Sequence, residues 1–145
     1  NYVGTHPIAG SEIKGVSGAK TGIFKGAACV ITPTKNTNPD AVKAVSGFWE
    51  KLGADVFSLS ADEHDKLAAV TSHLPHLAAS SLINTVGEGQ DEARCLGPGI
   101  KDTTRIAGSP PELWQDICKW NKNAILESIE KFEKEMYSIK NLISS

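Results

Sequence analysis

The sequence predicts a mostly helical chain that begins with a small α/β segment. Strand-like runs are confined to the first 59 residues, and a helix pattern lies between two of them. From Ser60 onwards the apolar residues follow helical spacing instead. We therefore expect two domains, an α/β segment over residues 1–59 and a helical domain over residues 60–145.

The α/β segment alternates strand and helix signals. Residues 2–5 (YVGT), 27–32 (AACVIT) and 55–59 (DVFSL) have the apolar, β-branched composition of strands. Between the last two, Asn38 and Pro39 are typical of a helix start, because asparagine caps the first turn and proline is favoured directly after it. Strand, helix and strand in this order are the ending expected of a nucleotide-binding α/β domain.

The helical domain carries two predicted capping boxes, Ser60 with Glu63 and Ser109 with Glu112. The second is expected to open one long helix to the end of the chain. The apolar residues of that helix are spaced alternately by four and three positions; they are Ile125, Ile129, Phe132, Met136, Ile139 and Ile143. Such a heptad-like stripe requires a partner helix, which either packing inside one subunit or a dimer interface supplies.

Composition narrows the class of protein. The net charge is -2 and no dense basic block occurs, which argues against nucleic acid or an anionic membrane as the main partner. No apolar stretch approaches the roughly 18 residues that a membrane-spanning helix needs, and no signal-peptide pattern is present. Cys29, Cys95 and Cys118 fit no metal or redox spacing, so we expect reduced thiols in a cytoplasmic protein.

Four residues are candidates for chemistry, although each has a structural alternative. His6 follows the first predicted strand, where α/β sheets bind ligands, and an imidazole accepts a proton near neutral pH. His73 and His76 lie three apart around Pro75, and a proline inside a helix costs up to ~3 kcal/mol unless something compensates. Arg105 can hold a carboxylate through two parallel hydrogen bonds. For His6 the alternative is a merely exposed histidine, for His73 and His76 a structural pair, and for Arg105 a loop arginine paired with a nearby acid. A metal site on the two histidines lacks a third ligand.

Three tryptophans are interpreted as packing residues from the sequence alone. Trp114 falls in the first turn of the predicted last helix, and Trp49 and Trp120 are expected in the core.

Four motifs occur in order along the chain: HPIAGSE at residues 6–12, TPT at 32–34, SHLPH at 72–76 and KDTTRIA at 101–107. Together they resemble the prephenate dehydrogenase family over essentially the whole chain. The resemblance implies the end of a Rossmann-like nucleotide-binding domain followed by an all-helical substrate-binding and dimerisation domain. It also implies NAD-dependent oxidative decarboxylation of prephenate to 4-hydroxyphenylpyruvate, a step of tyrosine biosynthesis.

The resemblance assigns roles to individual residues. His6 matches the catalytic histidine, which hydrogen-bonds the ring hydroxyl and takes its proton. Arg105 is expected to hold the ring carboxylate of prephenate, and His76 is expected near the pyruvyl side chain. The other positions that match the substrate site are Ser11, Glu12, Asp102 and Trp114. Because the helical domain dimerises in this family, with Asp102 able to reach the partner's site, the resemblance favours a homodimer joined through the C-terminal helices.

The cofactor site is expected to be partial. Its matching positions are His6, Pro7 and Ile8, and the cofactor is NAD or, alternatively, NADP. The family's Gly-x-Gly-x-x-Gly turn has no counterpart, because Gly15, Gly18 and Gly22 do not join a strand to a helix. The chain also begins abruptly at Asn1. We therefore interpret it as a fragment of a longer enzyme that is inactive alone.

Two alternative functions remain open. Arogenate dehydrogenase performs the same chemistry on an amino-acid side chain, and His76 favours the keto acid prephenate over it. A non-catalytic dimerisation or regulatory module of the same family would not need His6, His76 and Arg105 together.

Overall fold

The computed structural model describes residues 2–10, 15–87, 89 and 94–145, with only the backbone of residue 16. The chain forms two compact units, residues 1–64 and residues 65–145. A small three-stranded sheet in the first unit and a series of helices confirm the predicted fold class.

The first unit is built on a sheet with the strand order β1–β2–β3. β1 (Gly4–Pro7) runs antiparallel to β2 (Ala28–Thr32), and β2 runs parallel to β3 (Asp55–Ser58). Helix α1 (Pro39–Lys51) connects β2 to β3, because parallel neighbours need a crossover connection. The central strand supplies the core, in which three side chains are at most 1% exposed: Cys29, Val30 and Ile31. The predicted strand–helix–strand order is thus observed.

The first strand lies two residues later than predicted. It was expected over residues 2–5, whereas it spans Gly4–Pro7, so His6 lies within the strand and pairs with Val30. Helix α1 begins as predicted, because the Asn38 side chain accepts a hydrogen bond from the backbone N–H of Asp40 at 2.8 Å.

The rest of the chain is helical. After β3 come α2 (Ala61–Ala68), a π-helical segment (Ala69–His73), α3 (Leu74–Val86), α4 (Pro98–Thr104), a 3-10 turn (Arg105–Gly108), α5 (Pro111–Trp120) and α6 (Lys122–Ser144). The prediction of one long C-terminal helix is wrong, because a break at Asn121 separates α5 from α6.

The first predicted capping box forms and the second does not. The Ser60 backbone N–H and hydroxyl both donate to Glu63 Oε2, at 2.8 and 2.6 Å, and the Glu63 N–H donates back to Ser60 Oγ at 3.2 Å. The Ser109 hydroxyl instead donates to the Ile106 carbonyl at 3.1 Å. Helix α5 starts after Pro110, and no described side chain caps its first turn.

The π-helical segment accommodates Pro75. The Leu74 N–H donates to the Ala69 carbonyl, five residues back, and α3 restarts at Leu74. Pro75 directly follows this wider turn, where the bonding changes from five residues back to four, which is a place that tolerates a residue without an N–H. This removes the expected cost of a proline inside a helix.

The apolar stripe of α6 is mostly uncovered within the described chain. Ile125 is 4% exposed at the start of the helix, whereas Met136 is 49% and Ile143 is 81% exposed. Trp120, expected in the core, is 79% exposed, so that prediction is wrong. None of the described helices combines the length and apolar character needed to cross a membrane.

Candidate functional site

His6 and His64 form a histidine pair in the first unit. Nδ1 of His6 lies 2.9 Å from Nε2 of His64, and the rings meet edge-on with their centroids 5.2 Å apart. Burial of the ring, and secondly its electrostatic interaction with His64, lower the pKa of His6 below its ordinary value of 6.5. His6 is therefore neutral at pH 7 and has a lone pair with which to accept a proton.

The sheet positions His6 and the residues after it. Backbone pairing sets His6 opposite Val30 and Pro7 opposite Cys29, both buried residues of β2. The Ile8 N–H donates to the Ala28 carbonyl at 2.7 Å, which extends the pairing past the strand end. The side chain of Ile8 remains 53% exposed and accessible to a ligand.

His76 and Trp114 form a second cluster, in the second unit. His76, only 6% exposed, lies flat on the Trp114 indole, with 3.4 Å between ring centroids and 6° between planes. His73 meets the same indole edge-on at 6.1 Å, so both histidines face Trp114. Burial lowers the pKa of His76, opposed in part by a hydrogen bond with the Ile106 backbone.

A cavity of about 320 Å³ adjoins this cluster. Its polar lining includes Ser80, Ser109 and Gln115 beside the two rings. Nε1 of Trp114 is buried and has no hydrogen-bond partner among the described residues. A buried donor left unpaired costs about 1–3 kcal/mol, so an acceptor on a ligand in the cavity would recover that free energy.

Arg105 and Asp102 lie on the segment next to the cavity. Arg105 begins the 3-10 turn, and the following Ile106 and Ala107 contact His76 and line the cavity respectively. Both Arg105 and Asp102 are exposed, and neither belongs to the lining that the described residues form. The structure thus brings His76, Trp114 and this segment together, and the carboxylate-binding role of Arg105 stays a prediction.

Two predicted site residues, Ser11 and Glu12, lie outside the described residues. One relevant residue was missed by sequence reasoning, namely His64. Its position in the first turn of a helix directly after a strand could have drawn attention to it, because such junctions often carry ligand-binding groups.

The described residues do not form a dinucleotide cradle. A pyrophosphate needs a glycine-rich turn between a strand and a helix N-terminus. The two strand-to-helix junctions, residues 33–38 and 59–60, contain no glycine, and Gly22 and Gly26, with positive φ, lead into β2. In the part of the chain that is described, no three His, Cys, Asp or Glu side chains are grouped to hold a metal ion.

Family models match both parts of the chain. The model described as "Prephenate dehydrogenase, dimerization domain" matches residues 60–145, and "Prephenate dehydrogenase, nucleotide-binding domain" matches residues 1–58. The prephenate dehydrogenase of Bacillus subtilis is 34% identical over 98% of this chain and 39% of its own length. The cyclohexadienyl dehydrogenase of Zymomonas mobilis is 32% identical over 99% of this chain and 50% of its own.

Solved structures of prephenate and arogenate dehydrogenases are also similar to this chain. The prephenate dehydrogenase of Aquifex aeolicus, in complex with hydroxyphenyl propionate and NAD+, has a TM-score of 0.89 and 39% identity over 98% of this chain and 51% of that one. Synechocystis arogenate dehydrogenase has a TM-score of 0.83 and 30% identity over 99% of this chain and 54% of that one. The chain spans about half or less of these relatives, and it belongs to the prephenate dehydrogenase family.

Proposed function

We propose that this chain provides the proton-accepting and substrate-binding residues of an enzyme that converts prephenate to 4-hydroxyphenylpyruvate by oxidative decarboxylation. The proposed hydride acceptor is NAD, with NADP as the alternative. The observation that carries the proposal is the lowered pKa of His6 at its contact with His64, because the reaction needs a neutral base for the hydroxyl proton.

The bond changes define what the protein must do. The hydrogen on C4 of prephenate leaves as a hydride with both electrons of the C4–H bond, and the C4 hydroxyl gives its proton to the base. The bond between the ring and its carboxylate breaks and carbon dioxide leaves. The electron pair of the broken bond stays in the ring, which becomes aromatic. The phenolate oxygen then recovers the proton.

His6 is the proposed base, acting through Nε2, since Nδ1 faces His64. General-base help of this kind typically contributes about 10²–10⁴-fold. The described residues do not form the dinucleotide cradle, so the contribution proposed for them is the proton acceptor, the substrate contacts and, at Pro7 and Ile8, part of the cofactor site.

The two carboxylates of prephenate have proposed partners. Arg105 presents an exposed guanidinium for the ring carboxylate. The pyruvyl side chain is proposed to occupy the cavity beside His76, where Trp114 Nε1 has no acceptor among the described residues. Ser11, Glu12 and Asp102 are proposed to complete the site, with Pro7 and Ile8 beside the cofactor.

The proposed organisation follows the family. Residues 1–59 are the end of a nucleotide-binding domain, and residues 60–145 are a substrate-binding and dimerisation domain of a cytoplasmic homodimer. The exposed stripe of α6 supports the dimer, because Phe132, Met136 and Ile139 are 41–49% exposed in one chain.

A second candidate is arogenate dehydrogenase, which the similarity to the Synechocystis enzyme supports. Prephenate stays the first candidate, because the Bacillus subtilis relative at 34% identity and the Aquifex aeolicus structure at 39% identity are prephenate dehydrogenases. A non-catalytic module is disfavoured, because it has no use for a neutral base on β1.

The test is kinetics of the full-length gene product with prephenate and with arogenate. We expect turnover of prephenate, and a His6→Asn variant should lower kcat by about 10²–10⁴-fold with little change in KM. A loss confined to KM would remove His6 as the base. Preference for arogenate would overturn the substrate assignment.

A further inference from the structure

We propose that His64 is a positioning residue that fixes the tautomer of His6, its Nε2 lone pair accepting a hydrogen bond from the Nδ1–H of His6. The inference rests on the proposed role of His6 as the base. It adds a residue of α2, outside the four motifs, to the machinery of the reaction.

The contact itself allows two directions. With 2.9 Å between Nδ1 of His6 and Nε2 of His64, either ring can be the donor. If His64 donated, the proton of neutral His6 would sit on Nε2, and that nitrogen could accept nothing from a substrate. If His6 donates, its Nε2 keeps the lone pair. A basic His6 is compatible only with the second direction.

A neutral acceptor has a different effect from a carboxylate. When Nε2 of His6 takes the substrate proton, the Nδ1–H stays bonded to His64, so the ring does not need to turn. A carboxylate in the same place would raise the pKa of His6 strongly, whereas a neutral imidazole brings no negative charge, and burial lowers that pKa. His6 therefore returns its proton readily to the phenolate oxygen later in the reaction.

The first turn of α2 holds His64 in place. Ser60 and Glu63 close the capping box, and the His64 N–H donates to the Ser60 carbonyl at 3.0 Å. Just before it, the Leu59 N–H donates to the Ile31 carbonyl at 3.0 Å. This ties the helix start to β2, the strand that also pairs with His6.

The kinetic test compares two variants at His64 in the full-length enzyme. His64→Ala removes the acceptor, and we expect kcat for prephenate to fall roughly tenfold, as for one lost hydrogen bond, with KM little changed. His64→Gln retains an acceptor in its amide oxygen and should recover most of kcat. Asp62→Ala, at an exposed position in the same helical turn, is the matched control for damage to α2 and should match the wild type.

Equal losses in the Ala and Gln variants, an effect on KM alone, or a similar loss in Asp62→Ala would overturn the role of His64. A tautomer measurement separates this inference from the proposed function. The measurement is a long-range ¹⁵N–¹H spectrum of the histidine-labelled full-length enzyme at a pH above the histidine pKa values. We expect His6 to be protonated on Nδ1 in the wild type and on Nε2 in His64→Ala.

If wild-type His6 is protonated on Nε2, the inference fails, whatever the His6→Asn variant does. If His6→Asn keeps its turnover, the proposed function of His6 fails, and the role of His64 in that reaction fails with it.

Discussion

The imidazole of His76 lies parallel to the indole of Trp114 at a centroid distance of 3.4 Å, although the two residues come from different helices. This stack forms one side of the cavity and holds the indole N–H in a buried position without an acceptor among the described residues. Because this buried N–H has no acceptor among the described residues, it is the donor that we propose for the substrate.

Replacing Trp114 by phenylalanine tests this donor. Phenylalanine keeps an aromatic ring against His76 but removes Nε1–H, so we expect KM for prephenate to rise by up to about tenfold with kcat nearly unchanged. The free energy of unfolding should stay equal or rise slightly, because an unpaired buried donor is lost. Steady-state kinetics and urea denaturation measure the two effects.

The matched control for this variant is Trp49→Phe, a half-buried tryptophan of the first unit that packs on Phe24 and Phe48. An unchanged KM in Trp114→Phe would show that no substrate atom accepts from the indole.

The pH dependence of kcat/KM should report the ionisation of His6. Because its pKa is lowered by burial and by His64, the neutral base persists to lower pH than for a free histidine. We therefore expect the acid limb of the profile to have an apparent pKa below 6.5. A wild-type limb above 6.5 would contradict this.

Much of the first unit could be predicted from the sequence because its signals are local. The strand patterns and the Asn38–Pro39 start depend on neighbouring residues alone. The break between α5 and α6 depends on distant groups instead. The Asn121 side chain donates to the Asp65 carbonyl at 2.7 Å and lies 3.2 Å from His73 Nδ1. Nothing near Asn121 in the sequence indicates that tertiary contact.

In the candidate site, too, local motifs can be predicted from the sequence and contacts between distant residues cannot. His76 and Arg105 are predicted because they lie in recognisable motifs, whereas the stacking of His76 on Trp114 is set by helix packing. The His6–His64 contact spans 58 positions and joins a strand to a helix, so no periodicity in the sequence could predict it.

Replacing Arg105 tests the proposed carboxylate contact. Arg105→Ala should weaken binding of prephenate by roughly 2–4 kcal/mol, seen as a higher KM, because a charge-assisted pair is lost. Arg105→Lys keeps the charge but not the two parallel donors, so its KM should fall between those of the wild type and the alanine variant. Kinetics with prephenate measure both, and a wild-type KM in Arg105→Ala would rule out the contact.

A charge placed on the stripe of α6 tests the proposed homodimer. Met136 lies in the middle of the stripe and is 49% exposed in the single chain, so a second copy is expected to cover it. Met136→Lys would bury an unpaired ammonium in that interface and should shift the protein towards monomer. Analytical ultracentrifugation over a range of protein concentrations measures the dissociation constant.

Ser138→Lys is the matched control, because it introduces the same side chain two positions away, on another face of the same exposed helix. We expect this variant to dimerise like the wild type, since its ammonium stays in water. Equal dissociation constants for the two lysine variants would show that the stripe does not form the interface. Weakening in Met136→Lys alone would show that Met136 lies in the dimer contact.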